Sequence, residues 1–197
     1  MHHPRIYEYT FFALVDKYKL RRKLIMHRES MLFSQWQQNN NCIIKHIQSL
    51  SLFIHARTVL AYFSFRQEPD LSPLFTDNSY IWGFPRCVGR SLYWHKVISL
   101  DPVKVGMYGI LEPNENSPRI NLEEVDLILV PSVACDHQGY RLGYGGGYYD
   151  YFLSSPLVRN TPTIGIIFEF AYIEKLPIQP WDIKLSGICT EIGIQMI

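Results

Sequence analysis

One segment, residues 126–150, constrains the fold and function of this chain more than any other part of the sequence. It begins as an apolar run over 127–134, continues through Arg141, and reaches four glycines within positions 143–147 and then an aspartate. Glycine is roughly 0.5–1 kcal/mol less favourable than alanine inside regular structure, so this cluster indicates positive φ angles or backbone amides left open to a ligand. Open amides beside the start of a helix bind phosphate oxygens. The segment therefore predicts a buried strand, a phosphate-binding loop and a short helix from Tyr148.

Two common nucleotide-binding fingerprints are absent from this loop. Tyr148 stands three positions after Gly145, where the dinucleotide-binding pattern requires glycine. A Walker A loop would end in Gly-Lys-Ser or Gly-Lys-Thr, and neither follows these glycines. The residues alone leave a tight structural turn open as an alternative. Valine at Gly146 is expected to block a phosphate ligand, because a β-branched residue resists positive φ and fills the space above the backbone.

Glycine and proline are missing from most of the first third of the chain. All 12 glycines lie at or after Gly83, and no proline occurs between Pro4 and Pro69. Apolar residues also recur at roughly helical intervals in this region. We therefore predict one helix over residues 16–38 and a second over residues 42–55.

Short apolar and β-branched runs predict the strands. They lie at residues 57–65, 80–84, 92–99, 126–134, 163–168 and 188–195. Several of them lack the alternation of apolar and polar residues that marks a half-exposed strand, which suits strands covered by helices on both faces. No repeat divides the chain, and 197 residues is an ordinary length for one domain. The sequence predicts a single-domain, three-layer α/β/α fold with a mostly parallel, Rossmann-like sheet.

Composition argues against several classes of protein. The formal net charge of +1 gives no bulk attraction to nucleic acid or to a membrane, so we expect neither as a partner. The four cysteines form no C-x-x-C pair, which favours reduced thiols in a cytoplasmic protein over a zinc ribbon or a disulfide framework. No apolar run reaches the roughly 18–20 residues of a membrane span. The histidines have no metal-ligand spacing, and no Gly-x-Ser-x-Gly motif supports a nucleophilic hydrolase.

Several charged residues are candidates for binding phosphate or metal. Arg141 carries a planar, permanently charged guanidinium that suits phosphate oxygens. Asp150 fits a phosphate loop if a divalent cation lies between them, although an acid that complements a helix dipole would occupy the same position. Lys17 and Arg21 share a helix face, and Glu68 follows a predicted strand at the edge where open α/β sheets bind ligands. A solvated surface position is the alternative for Arg141 and for these last three residues.

The motif Arg141-Leu-Gly-Tyr-Gly-Gly-Gly-Tyr-Tyr-Asp150 resembles the signature of the 5-formyltetrahydrofolate cyclo-ligase family, whose members are also called methenyltetrahydrofolate synthetases. Further landmarks occur in the family's order: Lys17-x-x-Leu20-Arg21, Tyr62-Phe-Ser-Phe-Arg-Gln-Glu68, Phe84-Pro85-Arg86, Tyr108-Gly-Ile-Leu-Glu112-Pro113, Leu176-Pro177, Asp182 and Thr190-Glu191. The resemblance covers about residues 15–195. It predicts a cyclo-ligase domain over 15–197 and an N-terminal extension of unknown role over 1–14.

The resemblance implies roles for particular residues. Arg141 and Asp150 would be catalytic, and Asp150 would contact Mg²⁺ together with Asp182. The implied substrate-binding residues are Phe63, Glu68 and Tyr148. The implied ATP-binding residues are Lys17, Arg21, Arg141, Leu142, Gly143, Tyr144, Gly145, Gly146, Gly147, Tyr148 and Tyr149.

The same resemblance implies a reaction. ATP and Mg²⁺ would support conversion of 5-formyltetrahydrofolate to 5,10-methenyltetrahydrofolate, with release of ADP and phosphate, through phosphorylation of the formyl oxygen and attack by N10. The partners would be a reduced folate and ATP, and the protein would be a monomer or a weak homo-oligomer. The alternatives are a non-catalytic folate- or nucleotide-binding paralogue, and an ATP-dependent ligase or kinase for another small molecule. Four positions depart from the family pattern and would affect substrate-side details: Ser132, Tyr151, Ala171 and Ser186.

Overall fold

The computed structural model of the protein describes residues 5–97 and 103–197. The first third is helical, as the scarcity of glycine and proline predicts. Helix α1 spans Arg5–Glu29, α2 spans Phe33–Ser49 and α3 spans Ser51–Ile54. Within the described ranges, none of the helices is both long and apolar enough to cross a membrane.

The predicted helix boundaries are wrong. The helix expected over 16–38 is instead the end of α1 and the start of α2, and the helix expected over 42–55 is the end of α2 followed by α3. At the first break, the Ser30 hydroxyl donates a hydrogen bond to the carbonyl of His27, 2.8 Å away. Leu32 then adopts an extended backbone, with ψ of 139°, before α2 begins.

Most of the short strands and a fourth helix lie in the remainder of the chain. The strands are β1 (Thr58–Leu60), β2 (Ile81–Val88), β3 (Ser91–Lys96), β4 (Lys104–Val105), β5 (Leu111–Glu112), β6 (Leu127–Pro131), β7 (Ala134–Asp136), β8 (Arg141–Leu142), β9 (Thr163–Ile166), β10 (Tyr172–Ile173), β11 (Gly187–Cys189) and β12 (Ile194–Met196). Helix α4 spans Tyr148–Leu153. The central sheet has the order β12-β11-β9-β6-β1-β2-β3, and β10-β7-β8 and β4-β5 form smaller sheets.

The central sheet is mostly parallel, as predicted. Strands β11, β9, β6, β1 and β2 run parallel to one another, while β12 and β3 are antiparallel at the two edges. Two of the predicted strands are instead interrupted. The run at 126–134 leaves the central sheet after β6 and continues as β7 in the three-stranded sheet, and the run at 188–195 folds back between β11 and β12. The amide of Thr190 donates to the carbonyl of Gly193 and closes that turn. Part of the strand predicted at 92–99, residues 98 and 99, lies outside the described residues.

Two apolar cores lie on opposite faces of the central sheet. Leu127 and Leu129 pack on the same side as α2 and α3, whereas Ile128 and Val130 pack on the side of α1 and α4. All four side chains are fully buried. Burial of a side chain of this size contributes roughly 1.5–3 kcal/mol, so both faces of β6 need a helical cover. The predicted three-layer α/β/α fold is confirmed.

The strand order places a crevice at the edge of the sheet that is formed by the carboxyl ends of its parallel strands. Strands β2 and β6 flank β1 on opposite sides, so the connections after β1 and β6 diverge from neighbouring strand ends. In open α/β sheets, ligands bind at the carboxyl ends of the strands where the order reverses in this way. Residues 61–68 follow β1 at this edge, and the segment that contains the glycine loop follows β6.

Candidate active site

A cavity of about 450 Å³ lies at this edge of the sheet. Its wall contains every residue for which the sequence predicts a role: Lys17, Arg21, Phe63, Glu68, the continuous run 141–150 and Asp182. These residues come from α1, from the segment after β1, from the glycine loop with the start of α4, and from the loop before β11. One cavity therefore gathers positions separated by up to 165 residues in the chain.

The glycine loop provides the left-handed backbone that its composition predicts, but not at the expected position. Gly145 has φ of 103° and Gly147 has φ of 71°, whereas Gly146 has no positive φ. The positive φ offered as one reason for the Gly146 substitution is therefore wrong. A Cβ atom at Gly146 would instead lie 2.8 Å from the ring of Tyr148, which is too close for a real contact. Gly147 precedes α4 with no side chain capping the helix, so the first amides of α4 are left for another acceptor.

Two basic residues of α1 connect this helix to the rest of the cavity wall. The Nε atom of Arg21 donates to the carbonyl oxygen of Gly143 at 2.7 Å. Lys17 Nζ lies 2.6 Å from Asp182 Oδ2, and both side chains are mostly buried. A charge-assisted contact of this length is among the stronger kinds of hydrogen bond. Lys17 and Arg21 therefore do not lie on a solvated helix face, which was the alternative for these two residues.

Arg141 and Asp150 form a second ion pair at the glycine loop. Arg141 Nη2 lies 3.0 Å from Asp150 Oδ1, and the guanidinium lies over the ring of Tyr149. Arg141 is only 7% exposed, and its Nε atom has no hydrogen-bond partner among the described residues. A buried guanidinium with an unsatisfied donor is unfavourable unless an acceptor occupies the cavity. This orphaned donor fits an anionic ligand beside the glycines.

The two predicted metal ligands fit a magnesium ion that is shared with a phosphate. Asp150 and Asp182 line the same cavity, and each has one oxygen that receives no hydrogen bond from the described part of the chain. Among residues 5–97 and 103–197, no three His, Cys, Asp or Glu side chains form a cluster that could hold a metal alone. Magnesium usually takes one or two carboxylates together with phosphate oxygens and waters, so two carboxylates beside a phosphate site are sufficient.

Glu68 is a buried acid of the cavity wall in the segment that follows β1. Its side chain is fully enclosed, its Oε2 atom accepts from the amide of Phe65 at 3.2 Å, and its Oε1 atom has no hydrogen-bond partner in the described residues. Burial raises the pKa of Glu68 to about 7, against the opposing effect of the positive charge of Arg28. A carboxylate with a free acceptor atom suits a ligand that carries N–H donors.

Aromatic side chains form the apolar wall. Phe63 stacks on Phe84 with ring centroids 4.3 Å apart, and Tyr148 hydrogen-bonds to the hydroxyl of Tyr108 at 3.0 Å. Trp181 also lines the cavity while 59% exposed, at its rim. Flat apolar surfaces of this kind pack against the rings of a heteroaromatic ligand.

One further residue contacts the site, although no role was predicted for it from the sequence. Arg28 is 4% exposed and lies 3.8 Å from Glu68. Its spacing of seven residues from Arg21 places the two arginines on one helix face, and that spacing was the available signal. The four positions that depart from the family pattern, Ser132, Tyr151, Ala171 and Ser186, all lie outside the cavity wall.

The fold and the cavity together define an α/β enzyme with a cationic loop and a buried carboxylate facing the same space. The family model described as the 5-formyltetrahydrofolate cyclo-ligase family matches residues 13–191. The chain therefore belongs to the 5-formyltetrahydrofolate cyclo-ligase family, and the resemblance drawn from its motifs is confirmed. Members of this family are ligases, so the prediction of an enzyme is confirmed as well.

Individual relatives agree with this assignment. The chain is 27% identical to the 5-formyltetrahydrofolate cyclo-ligase of Haemophilus influenzae over 177 residues, covering 86% of this chain and 95% of the relative. An NMR structure of the Aquifex aeolicus 5,10-methenyltetrahydrofolate synthetase superposes with a TM-score of 0.80 at 32% identity, over 91% of this chain and 92% of that one. The Mycoplasma pneumoniae 5,10-methenyltetrahydrofolate synthetase, at 22% identity and a TM-score of 0.72 over 89% of this chain and 99% of its own, shares the fold.

Proposed function

We propose that this protein converts 5-formyltetrahydrofolate to 5,10-methenyltetrahydrofolate, using ATP and Mg²⁺ and releasing ADP and phosphate. The observation that carries the proposal is the pairing, within one cavity, of a cationic glycine loop with a buried carboxylate. The loop suits the phosphates of ATP, and the carboxylate suits the N–H groups of a pterin. The family names and the names of the relatives support the same substrate and product.

The reaction requires phosphate-binding residues and folate-binding residues in one site. An N-formyl group is an amide, so its carbon is a weak electrophile and its oxygen leaves poorly. Transfer of the γ-phosphoryl group to the formyl oxygen releases ADP and makes that oxygen a leaving group. N10 then attacks the activated carbon and loses its proton, and the departing phosphate carries the oxygen away. The protein must hold the γ-phosphorus in line with the formyl oxygen and stabilise the developing negative charge.

The residues of the glycine loop take the phosphate side of this reaction. Arg141 faces the cavity with an unsatisfied donor, and Lys17 and Arg21 approach the loop from α1. In the proposed complex these cations bind the phosphate oxygens. Asp150 and Asp182 hold magnesium, which supplies charge neutralisation at the phosphates when bound. These acids also orient Lys17 and Arg141, because each of the two cations forms an ion pair with one of them.

Glu68 and neighbouring aromatic residues of the cavity wall bind the reduced pterin. Glu68 accepts hydrogen bonds from the pterin amino and ring N–H groups through its free Oε1 atom. Phe63 and Tyr148 supply the apolar surface against the ring system. Because burial raises the pKa of Glu68 to about 7, binding of the substrate in this way favours the ionised carboxylate and improves as the pH rises through neutrality.

The test is the near-ultraviolet absorbance of the methenyl product when purified protein is mixed with 5-formyltetrahydrofolate, ATP and Mg²⁺. We expect the absorbance to rise only when ATP is present, and a variant with Arg141→Ala to be strongly impaired. Binding of ATP and folate without any rise would identify a non-catalytic binding paralogue, and ATP hydrolysis without methenyl product would indicate a different substrate. A cytoplasmic location, a monomeric or weakly homo-oligomeric state and a separate role for residues 1–14 remain proposals.

A further inference from the structure

Arg28 is a buried cation that the proposed reaction leaves unused. Its side chain is 4% exposed, although Arg22 on the same helix is exposed. Arg28 Nε donates to the carbonyl oxygen of Arg66 at 2.9 Å, and Nη2 donates to the hydroxyl of Tyr144. Nη1 lies 3.8 Å from Glu68 Oε1. A buried charge is strongly unfavourable without partners, so this set of contacts is a built environment for a guanidinium.

The partners of Arg28 belong to the two halves of the cavity. Tyr144 is part of the glycine loop, whereas Arg66 and Glu68 lie in the segment after β1. That segment is held in an unusual conformation, since Arg66 and Gln67 have φ of 50° and 56° without being glycines. Backbone of this kind persists only where surrounding contacts fix it. The hydrogen bond from Arg28 to the Arg66 carbonyl is one of those contacts. Arg66 precedes Glu68, the carboxylate proposed to bind the substrate, by two residues.

The distance to Glu68 is informative. At 3.8 Å, Arg28 Nη1 is close enough to attract the carboxylate but too far for a hydrogen bond to Oε1. The positive charge therefore stabilises the ionised acid without forming a hydrogen bond to Oε1, which has no partner among the described residues. Lysine could not take this position with the same result, because its single ammonium lacks the planar fork that reaches a carbonyl, a hydroxyl and a carboxylate at once.

We propose that Arg28 is a positioning residue, whose guanidinium favours the ionised form of Glu68, holds its carboxylate at the cavity wall and ties it to the glycine loop through Tyr144. The inference rests on the proposed function where it concerns the substrate, but its geometric part does not. The groups around Glu68 are the cation Arg28 from α1 and the hydroxyls of Tyr62, Tyr144 and Tyr149 from the segment after β1, the glycine loop and α4.

The test follows the carboxyl carbon of Glu68 by NMR in protein labelled with carbon-13 glutamate. The Glu68 signal is assigned by its loss in Glu68→Gln. We expect the titration midpoint of Glu68 to rise by about one pH unit or more in Arg28→Gln, because an opposite charge at this distance is removed. The titration midpoint of Glu68 in Arg28→Lys is expected to lie between the midpoints in the wild-type protein and in Arg28→Gln. Arg22→Gln, an exposed arginine of the same helix, is the matched control and should leave the midpoint unchanged. An unchanged midpoint in a folded Arg28→Gln variant overturns the proposal.

A second measurement uses the unmodified side chain, so it stands even if Arg28→Gln does not fold. The nitrogen-15 signal of Arg28 Nε in the wild-type protein should move with the same midpoint as the Glu68 carboxyl carbon, and this movement should vanish in Glu68→Gln. An Arg28 signal that ignores the titration of Glu68 contradicts the inference. Neither measurement needs substrate. Failure to produce methenyltetrahydrofolate would therefore refute the proposed function, while the two NMR measurements would still decide the role of Arg28. With active enzyme, the KM for folate should rise more than kcat falls in Arg28→Lys, with the acid limb of kcat/KM displaced to higher pH.

Discussion

Lys17 Nζ and Asp182 Oδ2 are 2.6 Å apart, which joins α1 to the loop before β11 across the mouth of the cavity. Asp182 Oδ2 also accepts from the amide of Gln179, so the carboxylate has a fixed orientation. The pair brings the cation that we propose binds phosphate into contact with the acid that we propose binds the metal. Binding of ATP with magnesium would replace this contact by one between Lys17 and phosphate and one between Asp182 and the metal.

Asp182→Asn should therefore raise the Mg²⁺ concentration needed for half-maximal activity. Asparagine keeps the shape and an oxygen acceptor but removes the charge, so we expect an increase of about tenfold or more, with little change in the KM for folate. The measurement is initial rate against Mg²⁺ concentration at saturating ATP. Glu174→Gln, an exposed acid nearby in the sequence, serves as the matched control. A normal Mg²⁺ requirement in Asp182→Asn would remove this residue from the metal site.

Arg141→Ala should lower kcat/KM by on the order of 10²-fold, equivalent to about 2.7 kcal/mol, because it deletes an oriented donor to the transferred phosphoryl group. Loss of the contact with Asp150 also frees that acid, so the variant is first checked for folding by circular dichroism. Arg159→Ala, at an exposed position, controls for the loss of one arginine. Turnover close to the wild-type rate in folded Arg141→Ala protein would be incompatible with the proposed phosphate site.

The sequence was sufficient for the mostly parallel, doubly covered sheet, although not for its strand boundaries, and for most of the cavity wall. Apolar runs without alternation indicate strands buried on both faces, and this property alone places helices on both sides of β6. The Arg141 to Asp150 motif and Glu68 are short, local patterns, so their positions at strand ends could be read directly. The same argument fails for the glycines, because a run of three does not reveal that Gly145 and Gly147, rather than Gly146, have positive φ.

Other features depend on contacts that no local pattern contains. The break after α1 begins at Ser30, a residue type that also occurs inside helices. Arg28 shares a helix face with Arg21, but helical periodicity does not distinguish a solvated arginine from one enclosed by two loops. Its partners Arg66 and Tyr144 are 38 and 116 residues away in the chain, so only the folded structure brings them together.

Gly145→Val should weaken ATP binding by about tenfold or more. Valine is strongly disfavoured at φ of 103°, and its Cβ atom would lie 3.6 Å from the Arg21 guanidinium, with two methyl groups beyond it. Isothermal calorimetry with ATP and Mg²⁺ measures the effect. Gly193→Val is the matched control, since that glycine has no positive φ and no atom within 4 Å of the added Cβ. Equal affinities in the two variants would show that the backbone of the glycine loop does not hold the nucleotide.

Replacement of Glu68 should make stability less dependent on pH. The pKa of Glu68 is about 7 in the folded protein, mainly because of burial, and near its ordinary 4.5 when unfolded. Between these values the folded state binds more protons than the unfolded state, so stability falls as the pH rises from about 4.5 to about 7. Glu68→Gln removes this loss, so its stability relative to wild type should increase by on the order of 3 kcal/mol between pH 4.5 and pH 8. Urea unfolding across this pH range measures the difference in stability, with Glu174→Gln as the control. A difference between Glu68→Gln and wild type that does not change with pH would mean that Glu68 has an ordinary pKa in the folded protein.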